Sequence, residues 1–106
     1  MSKYLKVENI ISDKGNAIAN QFVIYDYMNN SRITFQSYDS MIIEIDRLNK
    51  KVTVGEDYDY SVTTGKYRNI FFRDYAPETL EGLKDLKTLR KAMKDGFYGD
   101  YEIISL

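Results

Sequence analysis

The chain has 106 residues, enough for one domain (residues 1–106) with a single hydrophobic core and too few for two. Its composition, 43% apolar and 29% charged, is that of a folded globular protein rather than a disordered or fibrous one. No apolar run approaches the ~20 residues that cross a bilayer, and no secretory signal is recognisable, so we expect a cytoplasmic protein without membrane contact. The net charge of −1 excludes a whole-molecule attraction to nucleic acid.

Cysteine and histidine are both absent from the sequence. The first absence excludes disulfides, thiol nucleophiles and zinc–thiolate sites. The second removes the usual general base near neutral pH and the commonest transition-metal ligand. We therefore expect no enzymatic activity, no cofactor and no metal. Ten tyrosines and five phenylalanines suit both half-buried sheet positions and binding surfaces.

The first half of the chain has the alternating pattern of an antiparallel meander. Strands are predicted over residues 4–12, 17–27 and 32–37, with glycine- and asparagine-containing turns between them. In the third strand, Ile33 and Phe35 share one face and the intervening polar residues share the other. The sequence thus predicts a sheet with one buried face.

The next two segments are also predicted as strands. Residues 40–48 contain three isoleucines, which favours a strand over a short helix capped by Asp39 or Ser40. A turn then leads into a strand at residues 52–54, which Gly55 ends.

After Gly55 the pattern becomes helical, beginning with a helix over residues 64–73 that Ser61, Thr63 or Thr64 could cap. Pro77 suits the first turn of a second helix that ends at Gly96, and whether this helix is continuous or breaks near Asp85 stays open. Residues 98–106 are predicted to form a last strand. The fold class is therefore α+β: an antiparallel sheet of about five to six strands with two helices packed on one face.

Four stretches in this order carry a resemblance. They are residues 19–24 (ANQFVI), 35–40 (FQSYDS), 59–69 (DYSVTTGKYRN) and 93–98 (MKDGFY). Together they resemble a family of small uncharacterised proteins carried by bacteriophages and plasmids of gut and lactic-acid bacteria. The sequence departs from that family at Tyr58, where tryptophan is favoured, and at residues 80–87, which look like an extension of the helix. The resemblance implies a mobile-element setting in a bacterial cell and assigns no activity.

Two segments superficially match ligand-binding motifs. Residues 63–66 (TTGK) are similar to the end of a phosphate-binding loop, but the upstream glycine is missing and Tyr67 replaces the magnesium-binding hydroxyl. Glu56, Asp57 and Asp59 lack the spacing of a calcium loop. Helix capping and a solvated acidic loop explain these segments better.

The acidic and tyrosine-rich segment that begins at residue 57, with the helix start that follows it, is the predicted binding surface for a partner protein. Carboxylates that alternate with tyrosines can occupy a basic groove in another protein. The predicted contact residues are Asp57, Tyr58, Asp59, Tyr60, Lys66, Tyr67 and Arg68.

A nucleic-acid surface is the alternative, because residues 66–73 interleave basic and aromatic side chains and lysines follow at helical spacing. Its residues would be Lys66, Tyr67, Arg68, Arg73, Lys84, Lys87, Lys91 and Lys94. If residues 66–73 are helical, however, the expected arrangement puts Tyr67 in the core and Lys66, Arg68 and Arg73 on an ordinary solvated face.

These observations lead to three functional hypotheses. The first is a non-enzymatic accessory protein of a phage or plasmid that binds a host protein stoichiometrically, such as a defence nuclease, as an inhibitor of the anti-CRISPR or anti-restriction type. The second is a nucleic-acid-binding accessory protein, and the third is a structural phage component.

Overall fold

The computed structural model of the protein describes residues 5–28 and 31–106. Within these ranges the chain forms seven strands, two α-helices and one 3₁₀ helix. In chain order they are β1 (Leu5–Ile11), β2 (Ala17–Asp26), β3 (Arg32–Ser37), β4 (Ser40–Asp46), β5 (Lys51–Val54), α1 (Val62–Asp74), the 3₁₀ helix (Glu78–Lys84), α2 (Leu86–Asp95), β6 (Phe97–Tyr98) and β7 (Tyr101–Ser105). The predicted strand start at Tyr4 and the turn residues Asn29 and Asn30 lie outside the described residues.

All seven strands belong to one sheet in the order β1-β2-β3-β4-β5-β7-β6. The first five form the predicted antiparallel meander. The helices then carry the chain across to β7, which pairs with β5 in parallel, and β6 closes the far edge as half of a short hairpin with β7. The predicted α+β class is confirmed.

The predicted strand and helix counts are corrected in two places. The closing strand is a hairpin because Gly99 adopts a left-handed backbone conformation (φ 60°) that turns β6 back into β7. The predicted second helix is interrupted at Asp85, whose extended backbone (φ −87°, ψ 123°) separates the 3₁₀ helix from α2. The side chain of Asp85 then caps α2 by accepting a hydrogen bond from the Thr88 N–H at 3.1 Å.

Alternation along the strands places the core on the face of the sheet that the helices cover. Val23, Phe35, Ile43 and Val54 lie opposite one another across four strands and are completely buried. The Phe71 ring of α1 stacks on Phe35 with ring centroids 5.7 Å apart. Side chains on the other face of the sheet, such as those of Thr34, Glu44 and Thr53, are only partly buried.

Candidate functional site

The loop between β5 and α1 is the acidic and tyrosine-rich segment that the sequence singles out. Gly55 starts it with a hydrogen bond from its N–H to the Ile42 carbonyl at 2.8 Å. Two tight turns follow, closed by N–H groups of Tyr58 and Tyr60 that donate to the Gly55 and Asp57 carbonyls at 3.2 and 3.1 Å. The loop therefore has a compact, hydrogen-bonded path rather than an extended one.

Arg68 of α1 anchors this loop through contacts with Tyr58 and Asp59. Its side chain is only 2% exposed, and its guanidinium donates a hydrogen bond to the Tyr58 carbonyl and forms an ion pair with Asp59 at 3.7 Å. The guanidinium also lies over the Tyr58 ring, 5.9 Å from its centroid. Burial lowers the pKa of Arg68, and the neighbouring Asp59 opposes that change. The expectation that Arg68 lies on a solvated helix face is wrong.

Asp59 is held from a second side by α2. The Arg90 guanidinium donates to the other Asp59 carboxylate oxygen at 2.5 Å. The Tyr58 side chain and the Asp59 carboxylate hold the pKa of Arg90 above its usual value. Two arginines thus neutralise Asp59, so this carboxylate stabilises the loop and offers little charge to a partner.

A surface pocket of about 470 Å³ lies where the loop, the β3–β4 turn and the first turn of α1 meet. Seven of its nine lining residues carry a hydroxyl group, so we call it the hydroxyl pocket. The lining residues are Ser37, Tyr38, Ser40, Ile42, Asp57, Tyr60, Ser61, Thr63 and Thr64. Its size falls within the range of small-molecule binding sites.

Asp57 supplies the single carboxylate of the hydroxyl pocket. It accepts a hydrogen bond from the Ser40 hydroxyl at 3.0 Å and forms no ion pair with any residue in the described ranges. Two tyrosines of the pocket are strongly exposed, Tyr38 at 61% and Tyr60 at 80%. The pocket therefore combines an uncompensated negative charge with two accessible aromatic rings.

Tyr38 is held in a conformation that a bulky residue rarely adopts, with a φ of 53°. Its N–H donates to the Asn20 carbonyl at 2.7 Å, and its carbonyl accepts from the Gln36 side-chain amide at 2.7 Å. These bonds fix the turn on both sides of the tyrosine. A positive φ of this kind is what the tight hairpin turn between β3 and β4 requires.

Ser61, one of the residues that line the hydroxyl pocket, caps α1. Its hydroxyl accepts from the Thr64 N–H at 3.1 Å and lies 3.1 Å from the Thr64 hydroxyl. On the other side of this helix start lies a more open groove of about 730 Å³, which includes Lys66, Arg68 and the exposed Val62. The first turn of α1 thus separates two depressions.

The structure separates the seven residues predicted to contact a partner protein. Asp57 and Tyr60 face the hydroxyl pocket, and Lys66 lies in the neighbouring groove. The others serve the fold: Tyr58 and Tyr67 pack partly buried against the core, Asp59 is paired with two arginines, and Arg68 is buried.

The residues of the predicted nucleic-acid surface are also dispersed. Arg73 is paired with Asp13 at 2.6 Å and Asp74 at 2.8 Å, and these hydrogen bonds raise its pKa. Lys84 belongs to the 3₁₀ helix and pairs with Glu81. The remaining lysines, Lys87, Lys91 and Lys94, lie on α2 at helical spacing, and Lys91 pairs with Asp95 at 2.7 Å. The helix breaks at Asp85, so Lys84 lies apart from the three lysines of α2.

Sequence reasoning missed the part of the hydroxyl pocket that comes from the β3–β4 turn. Ser37, Tyr38 and Ser40 are about 20 residues away from Asp57 and Tyr60 in the sequence and meet them only in the folded sheet. The sequence predicts Ser61, Thr63 and Thr64 only as candidate helix caps. The helical repeat does contain a signal for the buried arginine, because Thr64, Arg68 and Phe72 recur every four residues and all three are buried.

No metal-binding cluster of three or more acidic side chains occurs in the described ranges. Residues 63–66, which are similar to a phosphate loop, lie inside α1 instead of in a loop before a helix. None of the helices formed by residues 5–28 and 31–106 is long and apolar enough to cross a membrane.

The fold and the site define a small α+β protein with a hydroxyl-lined surface pocket and an arginine-anchored loop. The sequence profile of a family of unknown function, DUF8033, matches residues 5–88. The chain therefore belongs to this family. No curated protein and no solved structure matches the chain.

Proposed function

We propose that this protein is a non-enzymatic accessory protein that binds a partner protein stoichiometrically through the hydroxyl pocket and its two tyrosines. The observation that carries the proposal is the Asp57 carboxylate, which lies in the pocket without an ion pair to any described residue. A partner that presents a lysine or arginine there would supply the missing positive charge.

The chemistry of the pocket favours a basic side chain over an apolar one. The carboxylate can form charge-assisted hydrogen bonds with an ammonium or guanidinium group. The hydroxyl oxygens of the pocket can accept hydrogen bonds from the remaining N–H groups of that cation. Tyr38 and Tyr60 are placed to add contact area and cation–π attraction at the rim. Tyrosine also loses little conformational entropy on binding, which makes it a frequent interface anchor.

The fixed conformation of the pocket supports a binding role in a second way. Hydrogen bonds hold the turn at Tyr38, and Arg68 anchors the loop between β5 and α1 through the Tyr58 carbonyl. A surface that is ordered before it meets its partner loses less entropy on association. The proposed partner is a host protein with a basic groove, such as a defence nuclease, in keeping with the phage or plasmid setting that the sequence resemblance implies.

Nucleic acid is the alternative partner, and the observation that favours it is the exposed face of α2. Lys87, Lys91 and Lys94 lie on that face. Burial of Arg68 and pairing of Arg73 with two carboxylates reduce the basic surface that this alternative requires.

The test is affinity capture from a bacterial host lysate, with and without nuclease treatment, using wild-type protein and three variants. Asp57→Asn removes the pocket charge and Tyr60→Ala removes a rim aromatic ring. Glu56→Gln is the matched control, since it makes the same charge change at an exposed neighbouring residue that lies outside the pocket.

We expect wild type and Glu56→Gln to capture one nuclease-resistant protein at near-equal stoichiometry, and both pocket variants to lose about tenfold or more in affinity for it. Capture of nucleic acid alone, lost at higher salt and unchanged by Asp57→Asn, would contradict the proposal and favour the lysines of α2.

A further inference from the structure

Strand β1 is an edge of the sheet that offers a long stretch of backbone for pairing. It has seven residues without proline or glycine, and no strand within residues 5–28 and 31–106 pairs with its outer side. The opposite edge strand, β6, has only two residues. Natural proteins usually shorten or block such an edge, because its free N–H and C=O groups bind other strands.

The side chains of β1 divide between the two faces of the sheet. Leu5 and Val7 lie on the face opposite the helices and are 50% and 54% exposed. Lys6 and Glu8 point to the helix-bearing side, where their charged groups are 3.5 Å apart. Both contact Tyr25, since Lys6 lies over its ring and Glu8 accepts a hydrogen bond from its hydroxyl. These contacts fix the two charges at the sheet margin.

This arrangement is self-complementary. If a second β1 strand pairs antiparallel about a twofold axis at Val7, each residue lies opposite the one at the mirrored position. Val7 then faces Val7 of the second copy on the open face of the sheet. On the helix-bearing side, Lys6 faces Glu8 of the second copy, and the symmetry repeats that pair. Opposite charges directly across two strands stabilise their pairing.

We propose that the β1 edge binds a second copy of this chain, so that two sheets join through antiparallel β1 strands in the register that sets Lys6 opposite Glu8. The occupant is a second copy because the strand supplies both members of the charge pair and the apolar partner for Val7. The low net charge of −1 adds little repulsion between copies. The hydroxyl pocket is formed by other elements, so this inference does not depend on the proposed partner.

Sedimentation equilibrium over a wide concentration range tests the proposal, because the monomer mass is 12.4 kDa. The variants are Lys6→Glu, the exchange Lys6→Glu with Glu8→Lys, and the control Lys14→Glu, which makes the same charge change in the exposed β1–β2 turn. Circular dichroism verifies that each variant is folded.

We expect the wild-type mass to rise toward that of a dimer with concentration. Lys6→Glu places like charges opposite each other twice and should raise the dissociation constant about tenfold. The exchange should restore it, and Lys14→Glu should leave it unchanged. A wild-type protein that stays at 12.4 kDa at every concentration would overturn the proposal, as would a dimer that Lys6→Glu does not weaken.

Hydrogen exchange of the wild-type protein gives an independent readout that needs no variant. Amides of residues 6–9 that point away from β2 should become protected as concentration rises, while the amides of the β1–β2 turn stay unchanged. Equal exchange of residues 6–9 at low and high concentration would also overturn the proposal.

Discussion

Replacement of Arg68 by methionine tests the anchor on which the shape of the binding loop depends. Methionine keeps much of the apolar stem of the arginine but cannot donate to the Tyr58 carbonyl or pair with Asp59. A lost charge-assisted hydrogen bond costs about 1.5–3 kcal/mol. Loss of the Arg68–Asp59 ion pair adds only ~0.5 kcal/mol, because the partly exposed Asp59 keeps Arg90 as a partner.

Relief of the buried charge offsets part of this cost, because the guanidinium no longer has to be desolvated. We therefore expect Arg68→Met to lower the free energy of unfolding by about 2 kcal/mol. Urea unfolding followed by circular dichroism measures it. The loop over residues 55–60 should also exchange its amide hydrogens faster, because its main tether to α1 is gone.

Arg73→Met is the matched control. Arg73 lies on the same helix and pairs with two carboxylates, but it is exposed to solvent. Arg73→Met should therefore lower the free energy of unfolding by only a small fraction of the loss expected for Arg68→Met. Equal losses in the two variants, or no loss in Arg68→Met, would refute the anchoring role of Arg68.

Three further changes probe other parts of the structure. Ser61→Ala should lower the free energy of unfolding, measured in urea, by about 1 kcal/mol, because it removes the N-cap of α1. Thr63→Ala should lower it much less, and equal losses in the two variants would argue against the capping role of Ser61. Gly55→Ala should destabilise by at least ~2 kcal/mol in thermal unfolding, because a Cβ there falls on the Met41 carbonyl oxygen; a neutral result would show that the backbone can shift. Burial and a neighbouring carboxylate raise the pKa of Tyr25 from 10.0 to about 12, so the folded state keeps a proton that the unfolded state loses. The stability that Tyr25 contributes is complete below pH 10 and is lost as the pH rises through 12. Tyr25→Phe should therefore reduce the fall of the unfolding free energy with pH between pH 10 and 12. The same fall in both proteins would contradict the raised pKa of Tyr25.

Local patterns were sufficient to predict most of the sheet. Alternation defined β3 at its observed bounds, Arg32–Ser37, because a half-buried antiparallel strand repeats every two residues. Pro77 and Gly96 marked the limits of the second helical segment for similar local reasons, and Gly96 has the left-handed conformation of a helix end.

Features that depend on distant parts of the chain were not predictable from local patterns. The parallel pairing of β5 with β7 joins segments about 50 residues apart. The hydroxyl pocket likewise needs the β3–β4 turn to meet the start of α1. The sequence predicts Arg68 on the surface, because arginine is rarely buried without a partner. Its partner, the Tyr58 carbonyl, is a backbone group that the sequence does not reveal.

Site-specific photo-crosslinking reports directly on whether a partner protein binds at the hydroxyl pocket. A photoreactive phenylalanine derivative replaces Tyr60 at the pocket rim in one variant. In the other it replaces Leu48, which is also strongly exposed and lies in the turn at the opposite end of β4. After irradiation in a bacterial host, we expect a single protein adduct of defined mass from position 60 and none from position 48. No adduct from position 60, or the same adducts from both positions, would contradict this expectation.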